Sequence, residues 1–172
     1  MTAIFAIGVD PSWSRLDWSA LELDVDGRPR VLQTWSLPRR DGFADSDWLE
    51  VPRSITGITS TVIGTHPASA KGVEDIRGPL QAAQRMGRSS ASAQNGLVMM
   101  GACVAALRGA RLITPQVWRA ALQLPSGATK QEAWATLARL CGCEVKALGS
   151  NEHQRDASCI AYAAAVMRRD EL

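Results

Sequence analysis

The stretch that most constrains this chain is Ile4-Phe-Ala-Ile-Gly-Val-Asp10-Pro-Ser12. Ile4, Phe5, Ala6, Ile7 and Val9 form an apolar run of the length of a buried strand. A strand of this kind that ends in a carboxylate, followed at once by a turn residue, delivers a metal ligand or base into a crevice. Asp10 also reads as the opening residue of a turn. The rest of the chain has to decide between the two.

Taken in order, residues 17–25 partly alternate and predict a second strand. Asp26-Gly27 is a hairpin signal, and Arg30–Leu37 follows as a third strand. The N-terminal third is thus an antiparallel meander with Asp10 at the end of its first strand. Residues 38–57 are polar and broken by Pro38, Gly42, Pro52 and Gly57, with a short, interrupted helix expected over Trp48–Ile55. The β-branched run Ile58–Ile63 predicts a fourth strand, buried and parallel to the first. Residues 65–87, with Pro67, Gly72, Gly78 and Pro79, read as a loop with a helical piece.

Ser89–Leu107 is small and apolar and predicts a well-buried helix, in which Gly96 and Gly101 permit close packing on the sheet or on a partner helix. Leu112-Ile113 is a short fifth strand. Thr114-Pro115 starts a helix, Thr as N-cap and Pro at N1. Thr129-Lys-Gln-Glu132 is a capping box that opens a helix ending near Cys141-Gly142. Asn151-Glu-His-Gln154 is a second such pattern, opening the last helix. This order predicts an α/β fold: a mixed five-stranded sheet flanked by helices, ribonuclease H-like rather than doubly wound.

The 172 residues suffice for one domain with a real core. A net charge of +2 means that any nucleic-acid partner must be met by a local patch. No apolar run approaches the ~18 residues of a membrane span, and no leader pattern opens the chain. A cytoplasmic protein without membrane contact is expected. The four cysteines, Cys103, Cys141, Cys143 and Cys159, lack zinc-knuckle spacing and are expected reduced.

Chemistry concentrates at the two ends of the chain. His153 and Asp156 stand three apart in the first turns of the last helix, so both project from one face. With Asp10 they supply a carboxylate, an imidazole and a second carboxylate. That donor set suits Mg²⁺ or Mn²⁺ better than zinc. Such a site activates water and stabilises charge on a phosphodiester. The same two residues also read as a solvated helix start and a partner for the helix dipole.

Ile7-Gly-Val-Asp10-Pro-Ser12, with Trp18-Ser-Ala-Leu on the next strand, resembles the first motif of the RuvC family of Holliday-junction resolvases. Asn151-Glu-His153-Gln-Arg-Asp156-Ala157 is similar to the family's paired acidic motif, in which some members carry His first. Asn95–Leu107, Thr114-Pro-Gln-Val-Trp-Arg119 and Thr129-Lys130-Gln-Glu-Ala resemble the stretches between, so the likeness runs over roughly residues 4–167. The resemblance implies a single nuclease domain over residues 1–172 and a homodimer that binds and cuts branched DNA. It makes Asp10, His153 and Asp156 metal-binding catalytic residues and puts Lys130 near the scissile phosphate.

One departure stands out. The family carries a Glu at the end of the strand that corresponds to Ile58–Ile63, and here the chain reads Val62-Ile63-Gly64-Thr65-His66-Pro67. His66 as ligand or proton carrier, or Glu74 or Asp75 reaching in from the following loop, would fill the gap. Otherwise the chain is a catalytically impaired relative that binds DNA or a protein partner without cleavage. Lys71, Arg77, Arg85, Arg88, Arg119 and Lys130 are candidate phosphate contacts, and Trp13 and Trp48 candidate stacking platforms. An actin-like phosphotransferase also places an Asp after a Gly-containing first strand, but the Gly-rich phosphate loops of that class are missing.

Overall fold

The computed structural model describes residues 2–42, 44–63, 69–78, 81 and 90–172. Strands β1 (Ile4–Pro11), β2 (Arg15–Leu23) and β3 (Pro29–Pro38) form the expected meander. Helix α1 (Asp45–Ile63) leads to strand β4 (Ala70–Glu74), helix α2 (Ser90–Ala106) and strand β5 (Arg111–Ile113). Helices α3 (Pro115–Ala121) and α4 (Lys130–Cys141) follow, then a 3₁₀ turn over Val145–Leu148, then α5 (Glu152–Arg169).

The sheet order is β3-β2-β1-β4-β5. β1 pairs antiparallel with β2 and parallel with β4, and β4 pairs parallel with β5. The mixed five-stranded sheet with helices on its faces is therefore as expected. β2 begins two residues earlier than the alternation suggests. The hairpin turn is set by Asp24, whose carboxylate accepts from the amides of Asp26 and Arg28 at 2.9 and 2.8 Å. Gly27 supplies the left-handed φ of 80° the turn requires.

The fourth strand is the main correction. Ile58–Ile63 is not a strand: it is the last third of α1, a 19-residue helix that runs through Pro52. Trp48, Pro52, Ile55 and Thr59 recur at helical spacing and form its buried face, whereas Ile58, Ser60 and Thr61 are exposed. The hydroxyls complete the reversal. Thr59, Ser60 and Thr61 donate to the carbonyls of Ile55, Gly57 and Ile58 at 2.6, 2.6 and 2.7 Å. Side chains that bond back onto the preceding turn are content in a helix despite their β-branching. The strand beside β1 is instead Ala70–Glu74, inside the segment that reads as a loop.

Alternation along β1 and β4 builds two cores. Ile7 and Val9 of β1 and Val73 of β4 face α1 and α2, where Trp48, Ile55, Met99, Met100, Cys103 and Leu107 are buried with them. Ile4, Ala6 and Ala70 face the other way, into a core with Trp118, Leu137, Ile160 and Ala164 from α3, α4 and α5. Trp48 is thus a core residue, only 1% exposed, and not a platform for bases. The described cysteines are all unpaired thiols, as expected. Among the described residues no helix is long and apolar enough to cross a membrane.

Candidate active site

The α5 face of β1 and β4 carries glycine where other positions carry a side chain. Gly8 and Gly72 are register partners. A Cβ on Gly8 would lie 2.1 Å from the Ala157 carbonyl oxygen and 2.3 Å from the Ala161 nitrogen. A Cβ on Gly72 would lie 2.6 Å from Ile113 Cδ1 and 2.8 Å from Ile160 Cγ2. The paired glycines therefore form a trough in which the backbone of α5 rests directly on the sheet. Two residues on, at the strand ends and on the same face, stand Asp10 and Glu74. Val9 pairs with Val73, so the two carboxyls follow side by side on adjacent parallel strands. On the other side of Asp10, its antiparallel partner is Asp17.

The start of α5 comes down onto this row. Asn151 caps the helix by accepting from the Gln154 amide at 2.9 Å. The expected reciprocal half of a capping box does not form here. Gln154 instead accepts from the amide and hydroxyl of Ser150, at 2.8 and 2.7 Å. Asn151 also donates its side-chain amide to Asp17 at 3.3 Å. Asp17, fully buried, takes the Arg15 guanidinium on its other oxygen at 2.7 Å, and Arg15 continues to the Ser36 hydroxyl at 2.6 Å. Helix and sheet are thus pinned together next to the carboxyls.

His153 Nδ1 lies 2.9 Å from Asp10 Oδ2. This hydrogen bond, with the charges of Asp10, Asp17 and Glu152, raises the imidazole pKa against the opposing effect of burial. Glu74 is pushed up to about 9, first by burial, then by the charge of Asp10 and the hydrogen bond it shares with Asp10, and by Asp156, with Lys130 opposing. The crowding of carboxyls thus favours the protonated form of Glu74. Asp156 is raised by burial, an effect offset by hydrogen bonds from Lys130 and Trp134. Lys130, the first residue of α4, ion-pairs with Asp156 Oδ2. Burial lowers the Lys130 ammonium, but Asp156, Glu74 and Asp10 outweigh it and leave its pKa raised. The capping box opening α4 is complete, Thr129 and Glu132 bonding each other's backbone, which fixes where Lys130 starts.

Asp10, His153, Asp156 and Lys130 are therefore brought together. His66, Arg85 and Arg88 lie outside the described residues. Lys71 is turned to the opposite face of β4 and donates to the Arg108 carbonyl at 3.1 Å. Arg77 clamps Asp75 through two nitrogens at 2.9 and 2.6 Å, which holds the Asp75 carboxyl below its ordinary range. Asp75 is thus committed away from Asp10, and Glu74 is the acidic neighbour. Arg119 stacks over Trp118 and Arg39 over half-buried Trp13, with 4.8 and 4.7 Å from guanidinium to ring centre. Trp134 and Asp17 join the site without any local sequence signal. Glu74 does carry one: Gly72-Val-Glu74 repeats the pattern of Gly8-Val-Asp10.

No metal-ready group of three acidic, His or Cys side chains occurs among the described residues as they stand. Asp10 is engaged by His153 and Glu74, and Asp156 by Lys130 and Trp134. The donor chemistry nevertheless fits a hard divalent cation. Three carboxyls, Asp10, Glu74 and Asp156, converge where, among the described residues, Lys130 and the His153 imidazole answer them, and their crowding raises Glu74, so a further cation is accommodated.

No family model and no curated protein sequence matches the chain. Its fold does match solved structures. The structure of Thermus thermophilus RuvC superposes with a TM-score of 0.75 at 17% identity, over 99% of this chain and 97% of that one. That of T. thermophilus RuvC in complex with a Holliday junction substrate gives 0.71 at 17% identity, over 98% and 96%. The mixed sheet with its flanking helices is thus the RuvC-type, ribonuclease H-like fold.

Proposed function

We propose that this chain is a single-domain, metal-dependent endonuclease that cuts Holliday junctions or related branched DNA as a homodimer. The observation that carries the reading is the convergence of Asp10, Glu74, His153 and Asp156, with Lys130, on the end of the sheet. Likeness in fold to a protein solved with a Holliday junction supports the substrate class.

In this reading Asp10, Glu74 and Asp156, with His153, would hold Mg²⁺ or Mn²⁺. The cation, when bound, supplies a Lewis acid that lowers the pKa of water and offsets phosphodiester charge. To serve as a ligand Glu74 would have to lose its proton to solvent, and Lys130, part-exposed beside Asp156, would be placed to meet a phosphate. The imidazole of His153 is oriented by Asp10. Glu74 takes the place at the end of β4 for which His66 and Asp75 are alternatives, so a site without that carboxylate, the ground for an impaired relative, is not required. Arg77, in its exposed turn just past Glu74, is a candidate phosphate contact, whereas Lys71 is not. A homodimer would use α2, where Gln94, Val98, Gly101 and Ala105 form an exposed, mostly small stripe.

The test is a labelled four-way junction incubated with Mg²⁺ or Mn²⁺. Cleavage is expected, and Asp10→Asn, Glu74→Gln and Asp156→Asn should each reduce it by at least about 100-fold. Junction binding with no nicking under either metal would sink the enzymatic reading and leave a DNA-binding protein.

A further inference from the structure

One buried polar contact at the site is left without a role by the chemistry above. The indole N–H of Trp134 donates to Asp156 Oδ1 at 2.9 Å. Both residues are buried, at 6% and 1% exposure. Trp134 lies four residues after Lys130 on α4, so both project toward the same carboxylate. They divide it: Lys130 takes Oδ2 and Trp134 takes Oδ1. The two partners differ in kind. The lysine is flexible and 42% exposed, so it can leave. The indole is a rigid plate with one hydrogen to give, and the Arg155 guanidinium lies over its ring at 5.3 Å. Burial alone does not force this bond. The buried indole nitrogens of Trp18 and Trp118 have no hydrogen-bond partner among the described residues.

We propose that Trp134 is a positioning residue that fixes how Asp156 meets a cation, holding Oδ1 so that only Oδ2 is offered. This rests on Asp156 being a metal ligand. A carboxylate limited to one oxygen suits Mg²⁺ or Mn²⁺, which demand octahedral geometry at short distance. Ca²⁺ takes six to eight oxygens and readily uses both oxygens of one carboxylate. Trp134 therefore discriminates between small and large divalent cations, not merely supports the fold.

The experiment uses the full chain. Mn²⁺ binding is followed by electron paramagnetic resonance, with Mg²⁺ and Ca²⁺ as competitors, in the wild type, in Trp134→Phe and in Trp118→Phe. Trp134→Phe should bind Mg²⁺ about tenfold more weakly while Ca²⁺ binding holds or strengthens, so the preference for Mg²⁺ falls at least tenfold. Trp118→Phe, which loses an unpartnered N–H, should match the wild type. Should Trp134→Phe not fold, a benzothienylalanine at position 134 keeps the shape and removes only the N–H. An unchanged Mg²⁺/Ca²⁺ ratio, whether both affinities hold or fall together, would overturn the role given to Trp134. A wild type that binds none of these ions would instead overturn the metal centre itself, and the proposal with it.

Discussion

Substitution of Gly8 by alanine adds one methyl group where the structure has no room for it. The new Cβ would sit 2.1 Å from the carbonyl oxygen of Ala157 and 2.3 Å from the nitrogen of Ala161, against 3.4 Å or more for an ordinary contact. Both neighbours are backbone atoms of a buried helix, so no rotamer change relieves the clash and α5 has to lift by about 1 Å. Overpacking of this kind costs typically ~1–3 kcal/mol, and with rigid neighbours the upper end applies, so a loss of at least about 3 kcal/mol is expected. That is a large share of the ~5–15 kcal/mol that stabilises a domain. Gly72→Ala is the internal comparison. Its nearest neighbours are side-chain atoms, Ile113 Cδ1 at 2.6 Å and Ile160 Cγ2 at 2.8 Å, with the Ile160 carbonyl oxygen farther off at 3.2 Å, so a smaller loss of about 1–2 kcal/mol is expected. Gly57→Ala in α1 is the control. Nothing lies within 4 Å of its added Cβ, and replacing a helix-interior glycine by alanine should stabilise by about 0.5–1 kcal/mol. Urea unfolding followed by far-UV circular dichroism gives all three values. A Gly8→Ala loss below about 1 kcal/mol, or one smaller than that of Gly72→Ala, would refute the claim that helix backbone rests on strand backbone here.

Two further outcomes follow from the carboxyl row. Glu74 has its folded pKa raised to about 9 from an ordinary 4.5, so the folded state holds a proton that the unfolded state has lost. Its contribution to stability is complete below about pH 4.5 and drains away as pH rises toward 9. In metal-free buffer the wild type should therefore lose stability relative to Glu74→Gln as pH rises from ~5 toward ~9, and parallel urea midpoints would show that Glu74 is not held beside Asp10. Asp17→Ala removes the partner of Arg15 and the anchor of Asn151, and should cost about 2–3 kcal/mol. Chemical-shift changes should reach the His153 ring, and a shift map confined to β2 and β3 would deny that Asp17 steadies the start of α5.

Much of this site is legible in the amino-acid sequence. The apolar run before Asp10 has a single reading as a buried strand. The His153–Asp156 spacing puts both side chains on one face whatever the helix packs against. Thr129–Glu132 carries its own start signal. Such features are local, so local rules reach them. The exchange of α1 for β4 shows where those rules fail. Ile58–Ile63 has β-branched chemistry, but its hydroxyls bond back onto the helix and only Thr59 among 58–62 is buried. Asp17 and Trp134 act through partners 134 and 22 residues away, at Asn151 and Asp156. Nothing in their neighbourhoods announces those contacts.

Glu74 is the instructive case: the sequence offers it as a carboxyl reaching in from a loop, and the feature that hides its strand also explains the site. Ala70-Lys-Gly-Val-Glu74 has one large apolar residue and reads as loop. Yet a strand that must let a helix approach cannot be rich in large side chains on that face. Gly72 is small because Ile160 occupies the space above it, as Gly8 is small beneath Ala157 and Ala161. Valine follows each glycine and fills the opposite core, and the acid follows at the strand end. Gly-Val-Asp10 and Gly-Val-Glu74 are thus one three-residue solution used twice in register: approach, anchor, carboxyl. The helix that the glycines admit is the one that brings His153 and Asp156. Two strands each carrying small residue, apolar residue and acid, with a distant His-x-x-Asp helix start, are therefore a joint sequence signature for this geometry. It needs no alignment, and it depends on how close a helix must come to a sheet before four side chains can meet.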